Sequence, residues 1–111
     1  MPKLPNGDRA VVEIEKLLEY SLNPLHPRGR HKARVFRAAL GLTQADADWL
    51  REQLLRVARE EEAGAGTPSP FGTKYAIDFT LTRGGRSALV RSAWIVENGT
   101  DFPRLTNCYI K

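Results

Sequence analysis

Between Glu19 and Asp46 the chain has no Asp and no Glu. Other scarcities exclude whole classes. With one cysteine, Cys108, no intrachain disulfide can form. One Cys and two His do not make a structural zinc site. No apolar run approaches the ~20 residues a membrane-spanning helix needs, so no membrane partner is expected. The start, Met-Pro-Lys-Leu-Pro-Asn-Gly-Asp, lacks the apolar stretch of a signal peptide, and the initiating Met fits a stand-alone protein. No glycine-rich phosphate cradle occurs, and no cofactor is expected. At 111 residues, 41% hydrophobic and 27% charged, the chain reads as one globular domain, residues 1–111, without internal repeats.

The acid-free stretch has its counterpart in positive charge. Residues 20–45 hold five basic side chains, Arg28, Arg30, Lys32, Arg34 and Arg37, and both histidines, His26 and His31. The segments around it alternate in sign: 1–19 carries a net −1, 46–64 a net −3 and 65–111 a net +3. Uncompensated positive charge beside imidazole suits an anionic partner, which leaves a substrate, a structural RNA or an acidic protein open. If 20–45 and 65–111 converge in space, the domain has a basic face and an acidic back.

The periodicity divides the chain in two: a helical part over about 8–63, a linker at 64–72 and a β part at 73–111. Ile14, Leu17, Leu18 and Leu22 recur at helical spacing and predict a helix over about 13–22, ended by Asn23-Pro24. A second helix is expected over about 30–40, burying Val35, Phe36, Ala39 and Leu40, with Arg30, Arg34 and Arg37 on a basic edge and Gly41 as its C-cap. Thr43 and Asp46 open a third helix over about 44–63, with Ala47, Leu50, Leu54, Val57 and Ala58 inward. After Gly64-Ala65-Gly66-Thr67-Pro68-Ser69-Pro70 the period becomes two. Tyr75, Ile77, Phe79 and Leu81 alternate with polar or small residues, and Arg83-Gly84-Gly85-Arg86 is a hairpin turn.

A two-residue Gly84-Gly85 loop sets Thr82 opposite Ser87, Phe79 opposite Val90, Asp78 opposite Arg91 and Tyr75 opposite Trp94. The Tyr75/Ile77/Phe79/Leu81 face should meet the helices, leaving Asp78, Thr80 and Arg91 on the open face. A last strand spans Leu105–Ile110, with either Thr106/Cys108 or Asn107/Tyr109 inward depending on a bulge. The expected fold is α+β: three helices packed on a three-stranded antiparallel meander, with residues 10–12 as a short fourth strand or a lead-in to the first helix.

Several of these residues together carry a resemblance. Leu4-Pro5-Asn6, Leu22-Asn23-Pro24, the run His26-Pro27-Arg28-Gly29-Arg30-His31-Lys32-Ala33-Arg34-Val35-Phe36, Leu40-Gly41, Arg91-Ser92-Ala93-Trp94 and Phe102-Pro103-Arg104-Leu105-Thr106-Asn107-Cys108-Tyr109 resemble a small bacterial domain family of unknown function. Its members occur as stand-alone proteins and as C-terminal tails of polymorphic toxins. More distantly, helices with a basic His motif followed by an antiparallel meander resemble the barnase/EndoU/RelE-like ribonuclease toxins. His31-Lys32 with Phe36 downstream looks like their Lys-His…Phe-Gly element, although here the order is His-Lys and Phe36 is followed by Arg37.

The resemblance implies a metal-independent ribonuclease of toxin type, with RNA as substrate and an acidic immunity protein or antitoxin as partner. It implies a cytoplasmic site of action, reached in toxin members by delivery within a secreted protein. Such cleavage needs a base for the 2′-OH, cations for the phosphorane and an acid for the leaving 5′-oxygen. His31 is the candidate base or acid. Lys32 and Arg91 are the candidate charge stabilisers, and Thr106 or Tyr109, whichever faces Arg91, would orient the phosphate. His26, Arg28, Arg30 and Arg34 would grip flanking phosphates. The alternative is a non-catalytic RNA- or protein-binding module of a toxin–antitoxin or immunity pair. Each residue also has a plainer account. His31 caps or solvates a helix start, the arginines form a solvated edge, Arg91 only pairs with Asp78, and Tyr109 packs on the sheet.

Overall fold

The computed structural model describes residues 3–111; Met1 and Pro2, assigned by the sequence to the same domain, lie outside the described residues. Three helices precede a four-stranded sheet, as the α+β expectation has it. The first, α1 (Ile14–Lys16), runs directly into a π turn, Leu17–Ser21. The others are α2 (Arg30–Leu40) and α3 (Ala47–Glu60). The strands β1 (Thr67–Ser69), β2 (Gly72–Arg83), β3 (Arg86–Glu97) and β4 (Arg104–Ile110) pair antiparallel in the order β1-β2-β3-β4.

The β2–β3 hairpin has the register that its turn dictates. Gly84 and Gly85 both take positive φ, 57° and 80°, the twist a two-residue hairpin loop requires. Thr82 then faces Ser87, Phe79 faces Val90, Asp78 faces Arg91 and Tyr75 faces Trp94. Ile77, Phe79 and Leu81 are buried against the helices, with Tyr75 half-buried at the margin, while Asp78 and Thr80 are exposed.

Several expectations are corrected. The fourth strand is not residues 10–12 but Thr67–Ser69, taken from the span read as linker; Ser69 Oγ donates to the Gly72 carbonyl at 2.7 Å and closes its turn. Near 10–12 there is a single parallel bridge, in which Val11 donates to Pro103 and accepts from Leu105, both at 2.9 Å. The third helix ends at Glu60 rather than 63. On α2 the inward stripe is Ala33, Phe36 and Leu40; Val35 is 43% exposed. Phe36 and Leu40 are buried and Ala39 packs against the core as expected, but Ala33 takes the inward place expected of Val35.

The start of α2 explains the His-Pro-Arg-Gly sequence. The N–H groups of Arg28 and Gly29 both donate to His26 Nδ1 at 3.0 Å, and Arg30 N–H donates to the His26 carbonyl at 3.0 Å. His26 therefore caps a turn that leads into the helix. Pro27 stands where the missing N–H costs nothing, and the imidazole proton is confined to Nε2. Gly29 is packed directly under the π turn: a Cβ there would lie 2.4 Å from the Tyr20 carbonyl oxygen.

One core joins the layers. Trp94, Phe36, Leu17, Leu22, Leu42, Leu50, Leu54, Ile77, Leu81 and Leu105 are essentially inaccessible. Burying each large side chain contributes about 1.5–3 kcal/mol before the entropy of ordering is set against it. Inside, the Trp94 indole N–H donates to Ser92 Oγ at 2.9 Å, and the Ser92 hydroxyl donates to the Ile77 carbonyl at 3.0 Å. The Arg91-Ser92-Ala93-Trp94 sequence thus sends Arg91 to the outer face of β3 and Ser92 to the inner. Among the described residues no buried side-chain nitrogen or oxygen lacks a partner.

Gly29→Ala should destabilise the domain by about 1–3 kcal/mol, because backbone must move to admit the methyl group. Gly64→Ala, whose Cβ would meet only the Ala76 carbonyl oxygen at 3.9 Å, should stay within about 0.5 kcal/mol of the parent. Urea unfolding of the two variants measures both.

Candidate functional site

The basic side chains of α2 divide by helical geometry. At about 100° per residue, Lys32 leaves one flank of the buried stripe, Arg30, Arg34 and Arg37 leave the other, and His31 projects roughly opposite it. Arg34 and Arg37 border a cleft of about 320 Å³ with Leu22, Pro24, Leu42 and Thr43, away from the sheet. His31, Arg28, Arg30 and Arg34 are exposed. Lys32, half-buried, is the member of the stretch that meets the sheet.

Lys32 Nζ lies 5.1 Å from the centre of the Tyr109 ring on edge strand β4 and 5.4 Å from that of Tyr20 on the π turn. An ammonium between two aromatic rings is held by their quadrupoles while its own N–H donors stay available. The His26 ring meets Tyr20 edge-on, 4.8 Å between centres, so the cap of α2 also steadies the tyrosine beneath Lys32. Tyr109 faces Arg91 across the β3–β4 pair.

A bulge brings this about. The register shifts between Ala93 and Trp94, leaving Thr106 as the extra residue of β4. Leu105 and Cys108 both point inward and are buried, and Tyr109 turns outward beside Arg91. Thr106 is exposed and its hydroxyl donates to the Ala93 carbonyl at 3.1 Å. Tyr109, not Thr106, therefore faces Arg91.

On the outer face Arg91 grips Asp78 with two nearly parallel hydrogen bonds, Nε–Oδ1 at 2.8 Å and NH2–Oδ2 at 3.0 Å, and Lys111 Nζ reaches Oδ2 at 3.1 Å. The Arg91 hydrogen bonds, aided by Lys111, hold the Asp78 carboxyl down at about 2. Reciprocally, the Asp78 hydrogen bond, its charge and then the Tyr109 hydroxyl raise the pKa of Arg91. Lys32, Arg91 and Lys111 make three cations against one carboxylate, so the edge of β4 keeps positive charge.

The wider balance is more one-sided. The ion pairs among the described residues use Arg9, Arg83, Arg91, Arg104 and Lys111 as cations; none uses a cation of residues 20–45. Among the described residues the tertiary fold brings no carboxylate within 4.0 Å of these cations. Complete burial pushes the Cys108 thiol up to about 11, so it stays protonated at neutral pH. No group of three or more His, Cys, Asp or Glu able to hold a metal occurs among the described residues.

Two residues of this site, Tyr20 and Lys111, escaped the sequence reading. Tyr20 read only as a helix position, and the contact of Lys111 with Asp78 depends on where β4 ends.

The Asp78 pair sets a pH dependence. A carboxyl whose folded pKa is depressed stabilises the fold fully above its ordinary 3.8 and loses that contribution as pH falls through about 2. The stability gap between the parent and Asp78→Asn should therefore be constant from pH 7 to 5 and close between about pH 4 and 2. Urea titrations across that range measure it; a gap unchanged at pH 2 would show that the charge of Asp78 contributes nothing.

One chain of the contact-dependent growth inhibition toxin–immunity protein complex from Klebsiella pneumoniae 342 has the same fold: TM-score 0.72, 14% identity, covering 91% of this chain and 99% of that one. Among curated protein sequences none matches. The domain of unknown function DUF6883 matches residues 3–111, nearly the whole length over which the basic stretch, the Arg-Ser-Ala-Trp strand and the bulged β4 are distributed, and the chain belongs to that family.

Proposed function

We propose that this chain is the RNA-directed domain of a bacterial toxin–immunity pair, a metal-independent ribonuclease of toxin type. The observation that carries the reading is the lack of any ion-pair partner, among the described residues, for Arg28, Arg30, Lys32, Arg34 and Arg37. Positive charge left open on one helix and its lead-in is what a polyanion neutralises by releasing counterions. The likeness of fold to a chain of a toxin–immunity complex supports the toxin setting. The same open cations suit an acidic face on an immunity protein or antitoxin.

In this reading the scissile phosphate lies at the first turn of α2, against Lys32. The ammonium, presented between Tyr20 and Tyr109, stabilises charge on the phosphorane oxygens. Tyr109, with its hydroxyl at Arg91, orients the phosphate, and Thr106 borders the same edge of β4. The imidazole of His31, exposed on the residue preceding Lys32, takes the 2′-OH proton or returns one to the leaving 5′-oxygen. Arg28, Arg30 and Arg34, with His26 holding the turn between them, track the flanking backbone.

A second reading, RNA binding without cleavage, is favoured by one specific arrangement. Arg91 is committed to Asp78, His26 Nδ1 is used as a cap, and His31 is exposed on the ridge opposite the buried stripe.

Incubation of the purified protein with total RNA in EDTA separates the two. The ribonuclease reading expects cleavage that falls by at least about 100-fold in Lys32→Ala and in His31→Ala, with both variants still folded by circular dichroism. RNA that is retarded on a gel in low salt, stays intact and is released as salt rises is the outcome of the binding reading. If RNA is neither cut nor bound, the domain is not RNA-directed.

A further inference from the structure

Two departures from regular backbone face each other beside Lys32. One is the π turn Leu17–Ser21, closed by Leu22 N–H donating to the Leu17 carbonyl at 2.9 Å. The other is the β-bulge at Thr106. Each inserts one residue into a regular element, and such insertions persist where they re-aim side chains. Between them is a cleft of about 280 Å³, lined by Lys16, Tyr20, Ser21, Leu105, Thr106 and Asn107.

The lining has a definite chemistry. The half-buried Tyr20 lines one side, and Leu105, itself almost wholly buried, lies at the base. Asn107 Oδ1 accepts from Cys108 N–H at 2.9 Å, which turns its amide N–H donors away from that bond. The Lys16 ammonium is in no ion pair among the described residues. No carboxylate lines the cleft. An occupant should therefore be flat, partly apolar and rich in hydrogen-bond acceptors, with negative charge at its margin.

We infer that this cleft is a subsite for one unstacked nucleobase of RNA, its base against Tyr20 and Leu105, an acceptor of its edge on Asn107 and its phosphate between Lys16 and Lys32. The inference rests on the RNA-directed reading above and adds to it: recognition of a base, not of backbone charge alone. Sequence-tolerant stacking on an aromatic ring, supplemented by one amide, is how single-stranded nucleic acid is commonly held.

The test compares short fluorescent single-stranded RNA oligomers with ribose-phosphate oligomers of equal length that lack bases, by anisotropy at two salt concentrations, under EDTA and with His31→Ala to suppress cutting. The subsite predicts that base-containing oligomers bind about tenfold tighter, and that Asn107→Ala removes most of that advantage while leaving abasic binding unchanged. Chemical-shift changes at the Asn107 amide and the Thr106 methyl on adding a mononucleotide give an independent readout in the unmutated chain. Equal binding of both oligomers, with no shift at Asn107, overturns the subsite and leaves the RNA-directed reading intact. Absence of binding by either oligomer overturns both.

Discussion

The register of β4 against β3 decides what the outer edge of this sheet presents. Without the extra residue at Thr106, alternation from buried Leu105 would turn Cys108 outward and Tyr109 into the core. The bulge keeps Leu105 and Cys108 together inside, where Cys108 meets Ser21 on the π turn. The same step places Tyr109 beside Arg91 and within reach of Lys32. One inserted residue thereby satisfies the core and builds the cationic edge.

The helical layer meets that edge through an equally local device. His26 caps the turn before α2, Pro27 fixes its first residue, and Gly29 lets the backbone of α2 press on Tyr20. Their combined effect is to set the rotation of α2, and rotation decides the fate of each cation. Lys32 passes to the tyrosines, whereas Arg34 and Arg37 border a separate cleft. The basic stretch is therefore a ridge with one foot on the sheet.

Charge is treated differently in the two halves of the chain. On and beside the sheet several cations are matched, Arg91 and Lys111 to Asp78, Arg83 to Asp46, Arg104 to Glu13 and Glu97, while Lys74 and Arg86 are in no ion pair among the described residues. Exposed pairs of this kind contribute little stability each, about 0–1 kcal/mol, but they hold strands and helices in register. On α2 and its lead-in no cation is in an ion pair among the described residues. Mutual repulsion along one helix costs a little stability, which solvent exposure of these side chains keeps small.

Much of the architecture was legible in the residues themselves. Period-two alternation from Tyr75 to Leu81 and the Gly84-Gly85 turn determine the hairpin and its pairs, Asp78 with Arg91 included, because turn geometry and side-chain alternation act over a few bonds. The acid-free run from Tyr20 to Ala45 likewise guarantees a basic surface, since no neighbour in sequence can neutralise it. Tertiary packing alone decided the rest: that His26 is a cap, that Val35 faces solvent, that β1 comes from the presumed linker, and that Tyr20, Lys32 and Tyr109 converge. Helix rotation and the placing of a bulge are settled by fitting distant surfaces into one core, and short-range pattern carries no information about that fit.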